Sequence, residues 1–214
     1  MFKLSRRLLL VWACALPLIG VRAAEPSAPP TFQEGKDYAK LATTVPVATP
    51  GQPEVIEFFS YRCPHCYQLE QSAEDWLKRK PSTVTFVRIP VYAGYQPNYE
   101  SAARAYYAAE ALGVLAKIHQ ALFKAIQQER RALDTAEELA AFFAEQGVNA
   151  DDFLKAYKSF QTETQLRRGA QLAQRYGVRG VPAVMVNGQY EIRSRQMFQV
   201  VDYLLTQPVT APQG

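Results

Sequence analysis

Two cysteines separated by two residues, directly behind a short apolar run, constrain this chain more than any other feature. Residues 55–59 are β-branched or aromatic apart from one glutamate, which predicts a buried central strand. The motif Cys-Pro-His-Cys follows at 63–66, and a helix is predicted from there to about Arg79. Proline is favoured at the first helical position, so Pro64 makes Cys63 the cap residue. The sequence therefore predicts a strand, a short turn and a helix that begins at the two cysteines.

This cysteine pair has three candidate roles. A structural disulfide is disfavoured, because loop-closure stabilisation grows with loop length and this loop is very short. A zinc site needs four ligands, and only His65 and His119 remain as further candidates. A redox-active disulfide is favoured, because the unpaired N–H groups and the dipole of the helix stabilise the Cys63 thiolate. We therefore predict a redox pair with no metal, in which Cys66 is the more buried, resolving thiol.

The first 23 residues have the pattern of a secretory signal peptide. A basic start is followed by apolar residues 8–21, which are fewer than the ~20 that span a bilayer. We expect cleavage after Ala23, and an uncleaved anchor is the alternative. Cleavage removes Cys14, so the mature chain keeps the motif cysteines alone in a compartment where disulfides persist.

The charge of the chain depends on the same segment. The chain has 24 Lys and Arg residues against 20 Asp and Glu residues, a formal net charge of +4. Four of the basic residues and no acidic one lie in residues 1–23, so the remainder is balanced. A balanced chain has no bulk attraction for phosphate or anionic lipid. No nucleic-acid partner is expected.

Strand patterns flank a long helical middle of the chain. An edge strand within 38–48 and a strand at 83–89 are predicted on either side of the motif helix. Five helices are predicted next: one at 99–112 with Asn98 as its cap, one around 115–126, one at 135–147 that opens with Thr135 and Glu138 as a capping box, one that follows the cap Asn149, and one at 164–176. Two strands follow, Ala183–Val186 and Tyr190–Ile192, joined by a turn at Asn187-Gly188. A closing helix is predicted around 197–205. Two α/β blocks therefore enclose a helical segment.

Two motifs that lie far apart in the chain resemble a single family. They are Glu57-Phe58-Phe59-Ser60 ahead of Cys63-Pro64-His65-Cys66-Tyr67-Gln68, and Gly180-Val181-Pro182-Ala183 ahead of Val186-Asn187-Gly188. This combination resembles the DsbA family, the periplasmic thiol:disulfide oxidoreductases of Gram-negative bacteria. The similarity runs from about residue 35 to residue 205 in element order.

The resemblance implies an α/β protein with a thioredoxin fold and an inserted all-helical domain. The corresponding division is a signal peptide at 1–23, a disordered tail at 24–36, a thioredoxin domain at 37–93 and 169–207, the inserted helical domain at 94–168 and a flexible tail at 208–214. We expect the insertion to be a packed helical core without chemistry of its own.

The same resemblance implies roles for side chains around the cysteines. Val181 and Pro182 match a loop whose cis-proline packs against the disulfide and whose backbone offers substrate an edge for strand addition. Glu57 matches a buried acid that assists proton transfer, with a solvated strand edge as the alternative. Apart from the resemblance, the position of His65 inside the motif predicts that it tunes the Cys63 thiolate by its positive charge or by a hydrogen bond, with a merely solvent-facing side chain as the alternative.

Three more residues complete these expectations. Glu70 matches a second acid of the family. Its usual lysine partner is not evident, and strand register offers Arg88 instead. His119 is expected to be an ordinary helix residue.

Together these observations predict an enzyme that donates its disulfide to unfolded exported proteins with free cysteines. The step would pass through a mixed disulfide at Cys63 in the periplasm, and a DsbB-like membrane quinone reductase would reoxidise the enzyme. No cofactor is expected, and the protein is expected to be monomeric. One alternative is an isomerase or a reductase of the same fold, although the separate N-terminal dimerisation domain that isomerases of this kind carry is not expected here. The other is a holdase-like binding module with incidental cysteines.

Overall fold

The structure, a computed structural model, describes residues 31–92 and 97–207. The predicted signal peptide, most of the predicted disordered tail and the predicted tail at 208–214 lie outside the described residues. In chain order the elements are β1 (Tyr38–Lys40), β2 (Glu54–Phe59), α1 (Pro64–Arg79), β3 (Thr85–Pro90), α2 (Pro97–Ala111), α3 (Leu115–Gln127), α4 (Ala136–Glu145), α5 (Ala150–Tyr157), α6 (Phe160–Arg175), β4 (Ala183–Val186), β5 (Tyr190–Ile192) and α7 (Met197–Leu205). None of the described helices is both long enough and apolar enough to cross a bilayer.

The strands form one mixed sheet in the order β1-β5-β4-β2-β3. The second strand runs parallel to β3 and antiparallel to β4, and every one of its residues is buried, which confirms the predicted central strand. The first strand lies at an edge as expected but covers only Tyr38–Lys40, so the range 38–48 was too long. Pro90 ends β3 at the other edge, where its missing N–H leaves no ladder bond unmade.

The hairpin between β4 and β5 turns at the predicted dipeptide. Asn187 and Gly188 both have positive φ, 53° and 66°. A side chain on Gly188 would collide with the carbonyl oxygen of Val45, whose own N–H donates to the carbonyl of Gly188. The turn therefore requires glycine for its conformation and for the close approach of the segment behind β1.

Helices cover both faces of the sheet. On one face Val55 packs with Trp76 of α1 and Val201 of α7. On the other face Ile56 packs with Ala173 of α6. The alternation of neighbouring residues of β2 between two buried faces explains why its apolar run is almost continuous.

The middle helices follow their local end signals. Thr135 and Glu138 form the predicted capping box, and the side chain of Asn149 caps α5 as predicted. Helix α2 begins at Pro97, so Asn98 lies inside the helix and the predicted cap was misplaced. Helix α6 begins four residues before the predicted range, because Ser159 caps it through the N–H of Thr162.

One core joins the helical segment to the sheet. The side chains of Phe59, Tyr61 and Cys66 are buried with those of α2–α5, so the cysteine motif lies where the helices meet the sheet. Helix α6 runs continuously through the expected division between residues 168 and 169 and packs against β3 at Gly169. The helical segment is thus tied directly to the redox motif.

Candidate active site

Cys63 is the N-cap of α1, as the position of Pro64 predicted. Its backbone is extended and its sulfur accepts a hydrogen bond from the N–H of Cys66 at 3.4 Å. Hydrogen bonding from Cys66, chiefly from its side chain, lowers the pKa of Cys63 to about 6 against the opposing effect of burial. The backbone N–H and charge of His65 act in the same direction. A thiol of this kind is largely thiolate at pH 7.

Cys66 has the opposite surroundings. It lies in the first turn of α1 and is completely buried. Burial is the main reason that its pKa is raised, and the neighbouring sulfur of Cys63 adds to the effect. Both thiols are free in this structure. The pair therefore combines one accessible thiolate with one buried, neutral thiol.

The segment before β4 passes directly beside the accessible sulfur. The thiol of Cys63 donates to the carbonyl oxygen of Val181 at 3.3 Å, across 118 positions of sequence. The peptide bond between Val181 and Pro182 is cis, as the family resemblance predicted. The structure thus brings the two predicted motifs together at one point.

Glu57 is fully buried on β2, so the alternative of a solvated edge was wrong. The parallel register places it opposite Arg88 of β3, whose Nε donates to its Oε2 at 3.2 Å. Burial raises the pKa of Glu57 to about 7, although the charge of Arg88 acts against it. The charge of Glu57 in turn helps to raise the pKa of Cys66, so the two groups are electrostatic neighbours. Glu57 can therefore exchange a proton near neutral pH beneath the buried thiol.

Arg88 holds two more carboxylates from α1. One terminal nitrogen, Nη2, lies 2.9 Å from Oε1 of Glu70 and 3.0 Å from Oε1 of Glu74. The prediction that Arg88 replaces the missing lysine partner of Glu70 is confirmed. One guanidinium therefore serves three acids, of which Glu74 is the most exposed.

The prediction for His119 was wrong. It is buried in α3 rather than being an ordinary helix residue, and its Nδ1 lies 2.7 Å from the hydroxyl of Tyr61. Its Nε2 lies 3.3 Å from Oε2 of Glu70. These partners are 58 and 49 positions away in sequence, so no local pattern connects them. The one sequence feature that could have indicated its burial is its position in α3, directly beside the apolar stripe that contains Ile118 and Leu122.

The helical segment also holds the residues directly before Cys63. The side chain of Gln127 donates to the carbonyl of Tyr61 at 2.7 Å. The guanidinium of Arg62 donates to the carbonyl of Ala132 and to Asp134, each at 2.6 Å. Neither contact is predictable from local sequence, since the partners lie 66 to 72 positions apart. The insertion therefore positions the loop that presents the accessible sulfur.

His65 stays on the solvent side of the motif. Its Nδ1 lies 3.3 Å from Oε1 of Gln68, one turn along α1. It contributes to the site through its backbone N–H and its charge, both of which favour the Cys63 thiolate. Among the described residues, no three His, Cys, Asp or Glu side chains are grouped so that they could hold a metal ion.

Comparisons with known proteins match this geometry. The family model for the DSBA-like thioredoxin domain matches residues 54–205, which span both motifs and the helices between them. The chain belongs to the DsbA family. It is 40% identical over 194 residues to the thiol:disulfide interchange protein DsbA of Azotobacter vinelandii, covering 88% of this chain and 90% of the relative. It is 41% identical to that of Pseudomonas syringae pv. tomato over 178 residues, covering 83% and 80%.

Solved structures of the DsbA family agree with the fold. The crystal structure of Pseudomonas aeruginosa DsbA superposes with a TM-score of 0.74 at 36% identity, covering 81% of this chain and 91% of that one. Xylella fastidiosa DsbA gives a TM-score of 0.74 at 30% identity, covering 84% and 97%. The predicted fold class, a thioredoxin fold with an inserted helical domain, is confirmed. This DsbA-family protein is a thiol:disulfide oxidoreductase.

Proposed function

We propose that the protein donates the Cys63–Cys66 disulfide to unfolded exported proteins in the bacterial periplasm, through a mixed disulfide at Cys63. The observation that carries the proposal is the asymmetry between the cysteines. Cys63 is accessible with a pKa of about 6, whereas Cys66 is completely buried with a raised pKa. Stabilisation of the Cys63 thiolate favours the reduced enzyme, so its disulfide is a strong acceptor of electrons.

The first step is attack of a substrate thiolate on the sulfur of Cys63. The S–S bond breaks, a substrate–Cys63 disulfide forms, and the sulfur of Cys66 leaves with the electron pair. A protonated Glu57 carboxyl gives that sulfur a proton, since a buried thiolate is unfavourable. The second substrate thiolate then attacks the mixed disulfide at the substrate sulfur and releases the Cys63 thiolate. The substrate is oxidised by two electrons and the enzyme is reduced by two.

Val181 and Pro182 are proposed to bind the substrate chain. The carbonyl of Val181 lies 3.3 Å from Sγ of Cys63, which is hydrogen-bond distance from the reacting atom. Pro182 has no N–H, so the segment leaves backbone positions for an extended peptide rather than pairing fully with its own chain. Substrate held in this way presents its cysteine to the sulfur of Cys63.

His65 is proposed to favour the leaving thiolate at Cys63. Its charge and backbone N–H both lower the pKa of that thiol. Glu57 is proposed as the proton donor for Cys66, since burial brings its pKa to about 7. A carboxyl with this value is still partly protonated at neutral pH and can be reloaded from solvent.

Four further features are part of the proposal. We infer export by a cleaved signal peptide at 1–23, and a division into a thioredoxin domain at 37–93 and 169–207 with a helical insertion at 94–168. The enzyme acts as a monomer without a cofactor. Its reoxidation is assigned to a DsbB-like membrane quinone reductase, the partner type of the family that the motifs resemble.

A trapping experiment tests the donor function. Cys66→Ala, expressed for export, retains the accessible Cys63 thiol but has no second thiol to release a bound partner. Mixed disulfides with exported proteins should accumulate and appear as a ladder on a non-reducing gel. Cys63→Ala is the matched control and should give none. An empty lane for Cys66→Ala, with the variant folded, would contradict substrate oxidation through Cys63.

The redox equilibrium with glutathione separates donor from reductase. A disulfide donor is largely reduced by glutathione mixtures that leave a thioredoxin-like pair oxidised. Mass spectrometry after acid quenching gives the oxidised fraction at each ratio. Incubation of the reduced enzyme with quinone-containing inner membranes then tests reoxidation, which should be lost when the membrane quinone is removed.

A further inference from the structure

One chain of hydrogen bonds crosses the base of the site, and the proposed reaction leaves half of it without a role. It begins at the hydroxyl of Tyr61, which lies 2.7 Å from Nδ1 of His119. It continues from Nε2 of His119 to Glu70 at 3.3 Å and from Glu70 to Arg88 at 2.9 Å. It ends where Nε of Arg88 meets Glu57 at 3.2 Å. This series of hydrogen bonds therefore joins the loop before Cys63 to Glu57, the acid beneath Cys66.

With a neutral imidazole and an ionised Glu70, only one tautomer of His119 satisfies both of its hydrogen bonds. The tyrosine hydroxyl donates to Nδ1, which must then be unprotonated, and Nε2 carries the hydrogen that it donates to Glu70. Burial lowers the pKa of His119, so the imidazole is neutral at pH 7 and this tautomer is the stable one. Tyr61 retains its proton, because burial raises its pKa well above the usual value.

We propose that His119 is a positioning residue of the redox site: it fixes Glu70 against Arg88 and so limits Glu57 to a single bond with that guanidinium. The inference rests on the proposed role of Glu57 and extends it. Glu70 uses both carboxylate oxygens, one for His119 and one for Arg88. Without the histidine donor, Oε2 of the buried Glu70 would lose its hydrogen bond to the imidazole, which is costly for an ionised group.

The hydrogen bond from His119 affects the pKa of Glu57 through the charge of Glu70. Burial opposes ionisation of Glu70, but the hydrogen bond from His119 and the charge of Arg88 outweigh it and lower its pKa. The ionised Glu70 raises the pKa of Glu57 by repulsion. Loss of the His119 donor favours protonation of Glu70, which removes that repulsion and leaves Arg88 to pair with Glu57. The pKa of Glu57 should then fall.

Several titratable or charged groups among the described residues surround His119. A cavity of about 440 Å³ lies against the imidazole and is also lined by Glu74 and Arg88. The titratable or charged groups that face His119 are Tyr61 from the loop before α1, Glu70 and Glu74 from α1, Arg88 from β3 and Tyr106 from α2. Glu74 already accepts from Arg88 and is not hydrogen bonded to the imidazole.

The decisive variant is His119→Leu, which keeps the apolar packing and removes the donor. Carboxyl-carbon NMR of the reduced protein, with Glu57 assigned by comparison with Glu57→Gln, gives the titration midpoint of Glu57. We expect this midpoint to move to acid by about one pH unit, the scale of a neighbouring charge. The rate of peptide-dithiol oxidation at pH 7.5 should fall by about five- to tenfold, with little change at pH 5.5. An unchanged Glu57 midpoint would overturn the inference.

Two further variants separate positioning from a general loss of packing. His119→Gln offers a carbonyl to Tyr61 and an N–H to Glu70, so the Glu57 midpoint should return to that of the natural protein. Ile118→Val is the matched control, since it removes a buried methyl from the neighbouring position without touching the bond chain. It should lower stability without moving the midpoint. A midpoint shift in Ile118→Val equal to that in His119→Leu would assign the effect to packing alone.

Imidazole rescue keeps the inference testable if the leucine variant folds poorly. His119→Ala extends the neighbouring cavity by the volume of the imidazole ring. Added imidazole should restore the oxidation rate at pH 7.5, whereas equal concentrations of pyrrole, which cannot accept from Tyr61, should not. Failure of the proposed function gives a different result: Glu57→Gln would then oxidise the peptide as fast as the natural protein at every pH, whatever His119 does.

Discussion

At the scale of single residues, the two motif thiols differ sharply although one helical turn holds both. Cys63 has a pKa of about 6, and the pKa of the buried Cys66 is raised. Treatment of the reduced protein with iodoacetamide should therefore modify Cys63 alone, with a rate that rises with a midpoint near pH 6. Peptide mapping by mass spectrometry gives the rate at each cysteine.

Urea supplies the control for this labelling. In the unfolded chain both thiols have ordinary pKa values of ~8.5 and should react at similar rates. Comparable rates at Cys63 and Cys66 in the folded protein would contradict the assignment of the accessible thiolate to Cys63.

Replacement of the buried acids should change stability in opposite directions. The fold raises the pKa of Glu57 to about 7, so its contribution to stability is complete below the unfolded value of ~4.3 and is lost as pH rises through 7. Glu57→Gln avoids that loss and should raise the free energy of unfolding by about 2–3 kcal/mol at pH 8. The gain should vanish near pH 4, as measured by urea unfolding across pH.

Glu70→Gln is the matched variant with the opposite sign. The fold lowers the pKa of Glu70, so this acid adds stability above its unfolded pKa, and that stability is lost as pH falls through the folded value. The variant should be less stable at pH 8, and the deficit should shrink towards acid. Stabilisation by both replacements would show that the two carboxylates are not distinguished by Arg88 and His119.

The sequence predicted the parts of the site that depend on neighbouring residues. Pro64 and the strand before it placed Cys63 at the helix cap without further information. The pairing of Glu70 with Arg88 followed from strand register. The role of His119 could not be predicted, because it depends on the position of α3 over α1, which only the complete packing of the insertion determines.

At the scale of elements, α6 packs so closely at Gly169 that an added methyl group would force its neighbours to shift. A Cβ on Gly169 would lie 2.7 Å from the hydroxyl of Tyr107 on α2 and 3.1 Å from Ile89 of β3. Alanine usually stabilises a helix relative to glycine, but overpacking outweighs that gain here. Gly169→Ala should lower the free energy of unfolding by about 1–3 kcal/mol, as measured by urea denaturation.

A double variant identifies the contact responsible. Tyr107→Phe removes the oxygen nearest to the new methyl group, so the combination with Gly169→Ala should recover much of the lost stability. Additive effects of the two substitutions would place the strain elsewhere, at Ile89 or in the helix backbone.

Elements with local end signals were predicted well, and those without them were not. The capping box at Thr135 and the cap at Asn149 place the starts of α4 and α5 correctly. The first turn of α6 was missed, because Phe160 is 85% exposed and so interrupts the apolar period there. The end of β1 was placed wrongly because the strand ends where its pairing with β5 stops, at Lys40. That pairing depends on residues far along the chain and cannot be read from the residues next to Lys40.

At the scale of the whole molecule, the redox state should change the pH dependence of stability. The lowered pKa of Cys63 stabilises the reduced fold fully above the unfolded pKa of ~8.5, and this is lost as pH falls through about 6. Since Cys63 is only half-buried, we expect about 1 kcal/mol between pH 5 and pH 8 after solvent screening. The reduced form should gain about 3 °C in Tm relative to the oxidised form over that range.

Calorimetry of both forms in parallel checks this difference. The range must end near pH 8, because above ~8.5 the fold keeps the buried Cys66 neutral while the unfolded thiol ionises, which works against the gain. Cys63→Ala should lose the pH-dependent difference. Parallel melting curves for the reduced and oxidised natural protein would contradict a stabilised thiolate.

The order of the strands in the sheet determines when the redox site can form during synthesis of the chain. On one side β2 pairs with β3, which follows after a single helix, but on the other side Val55 pairs with Val186 of β4. Contacts between such distant residues form late, because the intervening chain must first be confined. A nascent chain that ends before Val181 already has both cysteines but lacks the carbonyl beside Cys63 and one neighbour of β2. The described redox site is therefore complete only once Val181 and the residues of β4 have emerged and folded.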